Sequence, residues 1–94
     1  MAKKTRFFLI NTDIVYKNIE DERVLFNSET GQVTVVNETG RFILDQCNGK
    51  LSSDQIIEKV IDCYGDVPVA TIKKEVGDFL SGILKRKIVR RVTA

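Results

Sequence analysis

Short segments rich in β-branched and aromatic residues fill the first third of the chain, which predicts three β-strands. We expect them at Ile14–Ile19, Arg23–Phe26 and Gln32–Val36. A charged turn separates the first two, and a loop ending in Gly31, which can adopt a positive φ, separates the last two. Connections this short favour an antiparallel meander.

Apolar residues recur at helical spacing after the third strand and predict three helices. Asn37 can cap the first helix with its side chain, and Asn48–Gly49 should end it. Ser52 and Gln55 have the spacing of a capping box at the start of the second helix. Pro68 suits the first turn of the third and longest helix, where its missing amide proton would have no partner.

Strands followed by helices predict the α+β class. The expected architecture is a three-stranded antiparallel sheet followed by a three-helix bundle, with a winged-helix-like shape. We expect this domain to span residues 14–92, with a basic segment, Lys87–Val92, as a short closing strand. Residues 1–13 are predicted to form a loosely held N-terminal arm, although the apolar run Phe7–Ile10 offers a packing surface.

Composition places the chain among ordinary small soluble domains. It has 94 residues, 43% of them hydrophobic, and a net charge of +2, which is too small to imply nucleic acid by itself. The apolar run near the N-terminus is too short for a signal peptide, and no run approaches the length of a membrane span. These features predict a cytoplasmic protein without a membrane partner.

The residue types needed for common catalytic and metal sites are scarce. The chain has no histidine, so the commonest general base near neutral pH is missing. Cys47 and Cys63 are sixteen residues apart and lack paired ligands at zinc-site spacing, which favours a role as small buried hydrophobes. We therefore predict no catalytic residue, no metal, no cofactor and no enzymatic activity.

Two features point instead to a binding surface. In a three-stranded meander the strand Gln32–Val36 lies at an edge, where free amide and carbonyl groups can accept a strand from another chain or be covered by the chain itself. The third helix carries Gly77 in its interior, at a cost of about 0.5–1 kcal/mol relative to alanine. With Ser81 four residues later, Gly77 indicates either close internal packing or a shallow groove for a peptide.

The order of these features resembles the PqqD-like peptide chaperones, also called RiPP recognition elements. Each piece is short, but the set occurs in order between about residues 14 and 90. The segments that carry the resemblance are Gly31–Val33, Val36–Gly40, Ile43–Leu44, Asn48–Gly49, Ile56–Ile57, Tyr64–Gly65 and Asp78–Leu80. Lys87–Ile88 stands where the family usually has a Gly-Leu or Gly-Ile step.

The resemblance implies that the protein binds the leader segment of a ribosomally made precursor peptide by strand addition. A radical-SAM maturase, a leader protease or a cyclodehydratase would then act on the bound peptide. Carried over by position, the peptide-binding residues are Val33, Thr34, Val35 and Val36 of the strand and Lys73, Lys74, Gly77, Leu80, Ser81 and Leu84 of the third helix.

Two other functions remain possible on the sequence alone. A winged-helix nucleic-acid binder would place its third helix in a major groove, with Lys73, Lys74 and the basic tail on phosphates. Glu75 and Asp78 on that helix, together with the low net charge, disfavour this alternative. A third possibility is an assembly subunit that docks on an enzyme without binding a peptide.

Overall fold

The computed structural model describes residues 6–93, and side-chain environments for residues 7–92. Within this range the chain forms six strands and three helices. The strands are β1 (Arg6–Ile10), β2 (Ile14–Ile19), β3 (Glu22–Asn27), β4 (Val33–Val36), β5 (Asn48–Ser52) and β6 (Val89–Thr93). The helices are α1 (Glu38–Asp45), α2 (Ser53–Cys63) and α3 (Val69–Lys85).

The predicted meander is present as a sheet in the order β2-β3-β4, with both pairs antiparallel. Its two connections contain residues with positive φ, Glu20 at 55° and Gly31 at 79°. The inner face places Leu25, which is 2% exposed, opposite Thr34. The three strands that the sequence predicted are confirmed to within about one residue at each end.

A second three-stranded sheet, in the order β5-β1-β6, was not predicted. Its central strand β1 lies in the segment expected to be a loosely held arm, and that expectation is wrong for residues 6–10. Phe8 is buried in the core, and Phe7 pairs with Val92, 85 residues further along the chain. Such a long-range pairing leaves no local signal in the sequence. Residues 1–5 of the predicted arm lie outside the described residues.

Strand β5 also corrects the predicted architecture, because the segment between α1 and α2 is a strand and not only a turn. Gly49 has a φ of +80° within it, and Leu9 of β1 pairs with Asn48. The described residues therefore form two small antiparallel sheets with three helices, rather than one sheet followed by a helix bundle. Strand β6 confirms a closing strand but begins at Val89, two residues later than predicted, because Lys87 and Ile88 form the turn after α3.

Local capping positions the helices as predicted. The Asn37 side chain accepts a hydrogen bond from the Gly40 amide at 2.9 Å, and Ser52 and Gln55 form a reciprocal capping box. Pro68 lies one position outside α3, at the N-cap. Pro68 makes no side-chain capping bond, whereas the Asn37 and Ser52 caps stabilise their helix starts by typically about 1 kcal/mol each.

The C-terminus of α3 ends in a Schellman-type turn built around Lys87. The Lys87 amide donates to Leu84 O and the Ile88 amide donates to Ile83 O, while Lys87 adopts a φ of 61°. Glycine usually occupies this position because it has no Cβ to crowd the backbone. The side-chain amide of Asn11 donates to the carbonyl of Lys87, which ties the turn to the segment after β1.

The core lies between the two sheets and the helices. Its fully buried side chains include Leu44, Ile56, Val76 and Val89. The guanidinium of Arg23 is also buried, and it bonds Asp45 of α1 at 2.9 Å and Asn18 at 2.7 Å. Since the hydrogen bonds of this cation are satisfied, Arg23 can hold α1 against β3 without leaving an unpaired buried charge.

Candidate functional site: an open strand edge beside a cleft

Strand β4 has one hydrogen-bonded neighbour, β3, and its other edge is open in the described part of the chain. The Asn27 amide bonds Gln32 O at 2.9 Å, which makes these opposed residues a hydrogen-bonded pair. Hydrogen-bonded and non-bonded pairs alternate along an antiparallel ladder. Thr34 and Val36 therefore bond β3, whereas the amide and carbonyl groups of Val33 and Val35 point to the open edge.

A cleft of about 310 Å³ separates this strand from α3, and we call it the strand–helix cleft. Its lining comprises Thr34, Val35, Val36, Asn37, Phe79, Gly82, Ile83 and Arg86. The helix residues in this set are spaced at i, i+3, i+4 and i+7, which places them on one face of α3. Gly82 leaves room here, because a Cβ built on it meets no atom within 4 Å.

A second cavity of about 220 Å³, the interhelical pocket, lies between α1, α2 and α3. It shares Asn37 and Phe79 with the strand–helix cleft, so the two spaces lie side by side with these residues between them. Its lining is largely apolar and includes Ile43, Val60 and Val76. An extended segment lying along β4 could therefore reach both spaces.

The two spaces carry opposite charges. Arg86 is the one charged residue that lines the strand–helix cleft, and Glu75 is the one that lines the interhelical pocket. Both residues are exposed, and neither forms an ion pair within 4 Å with another described residue. Both charges are therefore available to a ligand.

The predicted strand residues lie at this site. Thr34, Val35 and Val36 line the cleft, and Val36 is 6% exposed. Val33 and Val35 are about 60% exposed on the outer face of the sheet, where Val15 and Phe26 are exposed as well. A strand added to β4 would therefore lie beside an exposed apolar surface on the outer face of the sheet.

The predicted helix residues do not line the cleft. Gly77 lies about 140° around the axis of α3 from Gly82, given about 100° per residue, on the opposite flank of the helix. Leu80 is 3% exposed and belongs to the core. The remaining predicted residues are exposed or half-buried away from the lining: Lys73, Lys74, Ser81 and Leu84.

The helix residues predicted from the sequence therefore do not face the cleft beside β4, and their role in binding stays a prediction. The prediction did not include Phe79, Gly82, Ile83 and Arg86, which line the cleft. One signal was present, since Gly82 is a second interior glycine in the same helix. The direction in which each flank faces depends on how α3 packs against β4, and the helical period alone does not give it.

The buried thiol of Cys47 lies outside the linings of both spaces. Burial, followed by the nearby charge of Asp45, raises the pKa of the Cys47 thiol from 9.0 to about 12. This thiol is a poor nucleophile near neutral pH because the thiolate is the reactive form. Within residues 6–93 no three His, Cys, Asp or Glu side chains are grouped so that they could hold a metal ion. None of the helices in that range is both long and apolar enough to cross a membrane.

Comparison with solved structures supports this fold. A structure of TbiB1 in complex with the TbiA(beta) leader peptide matches 87% of this chain and 94% of its own, with a TM-score of 0.76 and 22% identity. The heterocyclase TruD matches 96% of this chain with a TM-score of 0.64 and 21% identity. This chain covers 12% of TruD, so the shared fold is a small part of that protein.

No curated protein matches the chain significantly. The family model described as Coenzyme PQQ synthesis protein D (PqqD) matches residues 22–89, from the start of β3 to the start of β6. This range includes β4 and α3, the two elements that form the strand–helix cleft. The match covers more than half of the chain and confirms the resemblance found in the sequence: the chain belongs to the PqqD family.

Proposed function

We propose that this protein binds the leader segment of a ribosomally made precursor peptide and presents it to a modifying enzyme. The observation that carries the proposal is the open edge of β4 beside the strand–helix cleft. An extended peptide needs a backbone ladder for affinity and side-chain pockets for specificity, and these two features supply both. Membership of the PqqD family supports the same conclusion.

In this proposal the peptide adds as a fourth strand to the β2-β3-β4 sheet. The outward amide and carbonyl groups of Val33 and Val35 would form the new ladder. Alternate side chains of the peptide would enter the strand–helix cleft beside Phe79, Gly82 and Arg86. These helix residues replace Lys73, Lys74, Gly77 and Ser81 as the proposed contacts, while Leu80 and Leu84 support the fold from behind.

Presentation requires a second partner that performs the chemistry. A radical-SAM maturase, a leader protease or a cyclodehydratase would fill this role. A cyclodehydratase is favoured, because this chain is similar to a segment of the heterocyclase TruD. The protein itself would contribute no catalytic group.

The test is titration of the protein with a candidate precursor peptide encoded near its gene, with affinity measured by calorimetry and contacts mapped by amide NMR. Val35→Pro removes an amide that points to the open edge, and proline is tolerated at such edge positions. We expect this variant to fold but to bind at least tenfold more weakly. Val35→Ala is the matched control, because it keeps the amide and shortens the same exposed side chain.

Amide shifts in the wild-type protein should cluster at β4 and at Phe79, Gly82 and Arg86. Shifts confined to α2 or to the sheet β5-β1-β6 would contradict the site. Equal binding by the Val35→Pro and Val35→Ala variants would contradict strand addition.

A further inference from the structure

We infer that the peptide ligand carries an apolar side chain at one position i and an acidic side chain at position i+4, in N-to-C order. This inference rests on the proposed function and specifies the ligand. Three observations support it: the direction of β4, the order of the two cavities along α3, and the opposite charges of Glu75 and Arg86.

The residues that line the two spaces give the direction of β4 relative to α3. The strand–helix cleft is lined by β4 and the C-terminal half of α3, from Phe79 to Arg86. The interhelical pocket lies beyond the end of β4, at Asn37, and is lined by α3 residues between Ile72 and Phe79. Strand β4 and helix α3 thus run in opposite directions past each other.

The orientation of an added strand follows from the sheet. Both existing pairs, β2-β3 and β3-β4, are antiparallel, and antiparallel pairing is slightly more stable per residue. A ligand strand antiparallel to β4 begins near Asn37 and the interhelical pocket. It ends near Thr34 and Arg86.

The spacing between the two ligand side chains follows from the rise per residue of a helix and of a strand. Val76 and Arg86 are ten residues apart, or about 15 Å along a helix at 1.5 Å per residue. Four residues of strand span about 13 Å, and residues i, i+2 and i+4 point to the same face. A side chain at i then enters the interhelical pocket, the side chain at i+2 lies over Gly82 opposite Val36, and the side chain at i+4 lies opposite Thr34 beside Arg86.

The chemistry of each position follows from its surroundings. The interhelical pocket offers Ile43, Val60 and Val76, which favour an aliphatic or aromatic side chain. Arg86 favours a carboxylate, and it is followed by Lys87 in the turn that ends α3. Glu75 at the opposite end disfavours an acidic residue near position i.

The experiment is selection of a displayed library of random 15-residue peptides on this protein. Parallel selections use Arg86→Glu and the control Lys85→Glu. Lys85 is exposed, lies next to Arg86 in sequence and does not line the cleft, so the control makes the same change in net charge. We expect wild type and the control to enrich an apolar residue followed four positions later by Asp or Glu. Arg86→Glu should enrich Lys or Arg at that second position.

Binding measurements on one enriched peptide then test the pair directly. Replacing its acidic residue with Lys should lower its affinity for wild type by roughly two- to fivefold and raise its affinity for Arg86→Glu by a similar factor. This range is typical of an exposed ion pair. Enriched peptides with the acidic residue on the N-terminal side, or with identical motifs for all three proteins, would overturn the inference. A further selection on Val35→Pro tests the proposed function separately: if wild type enriches peptides no better than this variant does, the proposed function is overturned.

Discussion

The ring of Phe79 on α3 lies against the backbone of Gly40 on α1. A Cβ built on Gly40 would be 3.1 Å from Phe79 Cε1 and 2.9 Å from the Cβ of Val36. Real Cβ atoms essentially never approach as closely as the second distance. The absence of a side chain at Gly40 therefore lets α1, α3 and β4 meet between the strand–helix cleft and the interhelical pocket.

Gly40→Ala should destabilise the protein by roughly 1–2 kcal/mol. Overpacking of this kind costs typically about 1–3 kcal/mol, and the higher helix propensity of alanine offsets part of it. Gly77→Ala is the matched control, because a Cβ there meets no atom within 4 Å, and it should stabilise by about 0.5–1 kcal/mol. Urea unfolding of both variants checks the pair, and destabilisation by both would refute the argument.

Gly82→Leu should block peptide binding, whereas Gly77→Leu should not. Gly82 lies in the strand–helix cleft with open space around it, and Gly77 is exposed on the opposite flank of α3. We expect at least a tenfold loss of affinity for Gly82→Leu, about 1.4 kcal/mol, with circular dichroism confirming that both variants fold. The reverse ranking would restore the flank that the sequence suggested.

Lys87→Gly should stabilise the protein by up to about 1 kcal/mol. Lys87 has a φ of 61°, a conformation that costs an L-residue with a Cβ roughly 1–2 kcal/mol, although the greater freedom of glycine in the unfolded chain offsets part of the gain. Lys85→Gly, within the last turn of α3, should instead destabilise by a similar amount. Thermal unfolding of the two variants provides the comparison, and a loss in both would exclude relief of strain at Lys87.

Cys47 should make folding less favourable in alkaline solution. The pKa of its thiol is raised from 9.0 to about 12 in the folded state, so the folded protein binds this proton more tightly than the unfolded chain does. The contribution is fully present below pH 9 and is lost as the pH rises towards 12. At pH 10.5 the loss of unfolding free energy is on the order of 1–2 kcal/mol relative to Cys47→Ala. Urea unfolding of both proteins, at pH 10.5 and at a pH below 9, measures it.

The same burial should protect Cys47 from alkylation. Cys63 is exposed, so iodoacetamide at pH 8 should modify Cys63 first and reach Cys47 only through unfolding. Mass spectrometry of the Cys63→Ser variant, whose single thiol is Cys47, measures the alkylation rate of Cys47 without interference. Equal rates for the two thiols would contradict the burial of Cys47.

Salt should weaken peptide binding only modestly. Arg86 is an exposed charge at the rim, and such charges act mainly on the association rate. Affinity for the precursor peptide should fall about three- to tenfold between low and roughly physiological salt, measured by stopped-flow kinetics. Binding of duplex DNA through several phosphates would fall roughly 10³-fold or more, and DNA as the tighter ligand would favour the nucleic-acid alternative.

The sequence by itself determined the meander, the three helices and most of their ends. These features depend on residues close together in the chain, such as Asn37 with Gly40 and Ser52 with Gln55. It also carried enough ordered short segments to indicate the PqqD family. Strand β4 was identified as an edge because a three-stranded meander has two edges whatever the rest of the fold does.

Only the tertiary structure decided the second sheet and which flank of α3 faces β4. Phe7 forms a strand because Val92 and Ser52 lie on either side of it, and those partners are distant in sequence. Gly77 and Gly82 look alike as interior glycines of one helix. The packing of Phe79 against Gly40 turns Gly82 towards β4 and leaves Gly77 on the other flank, because a helix that packs through one face fixes the direction of all the others.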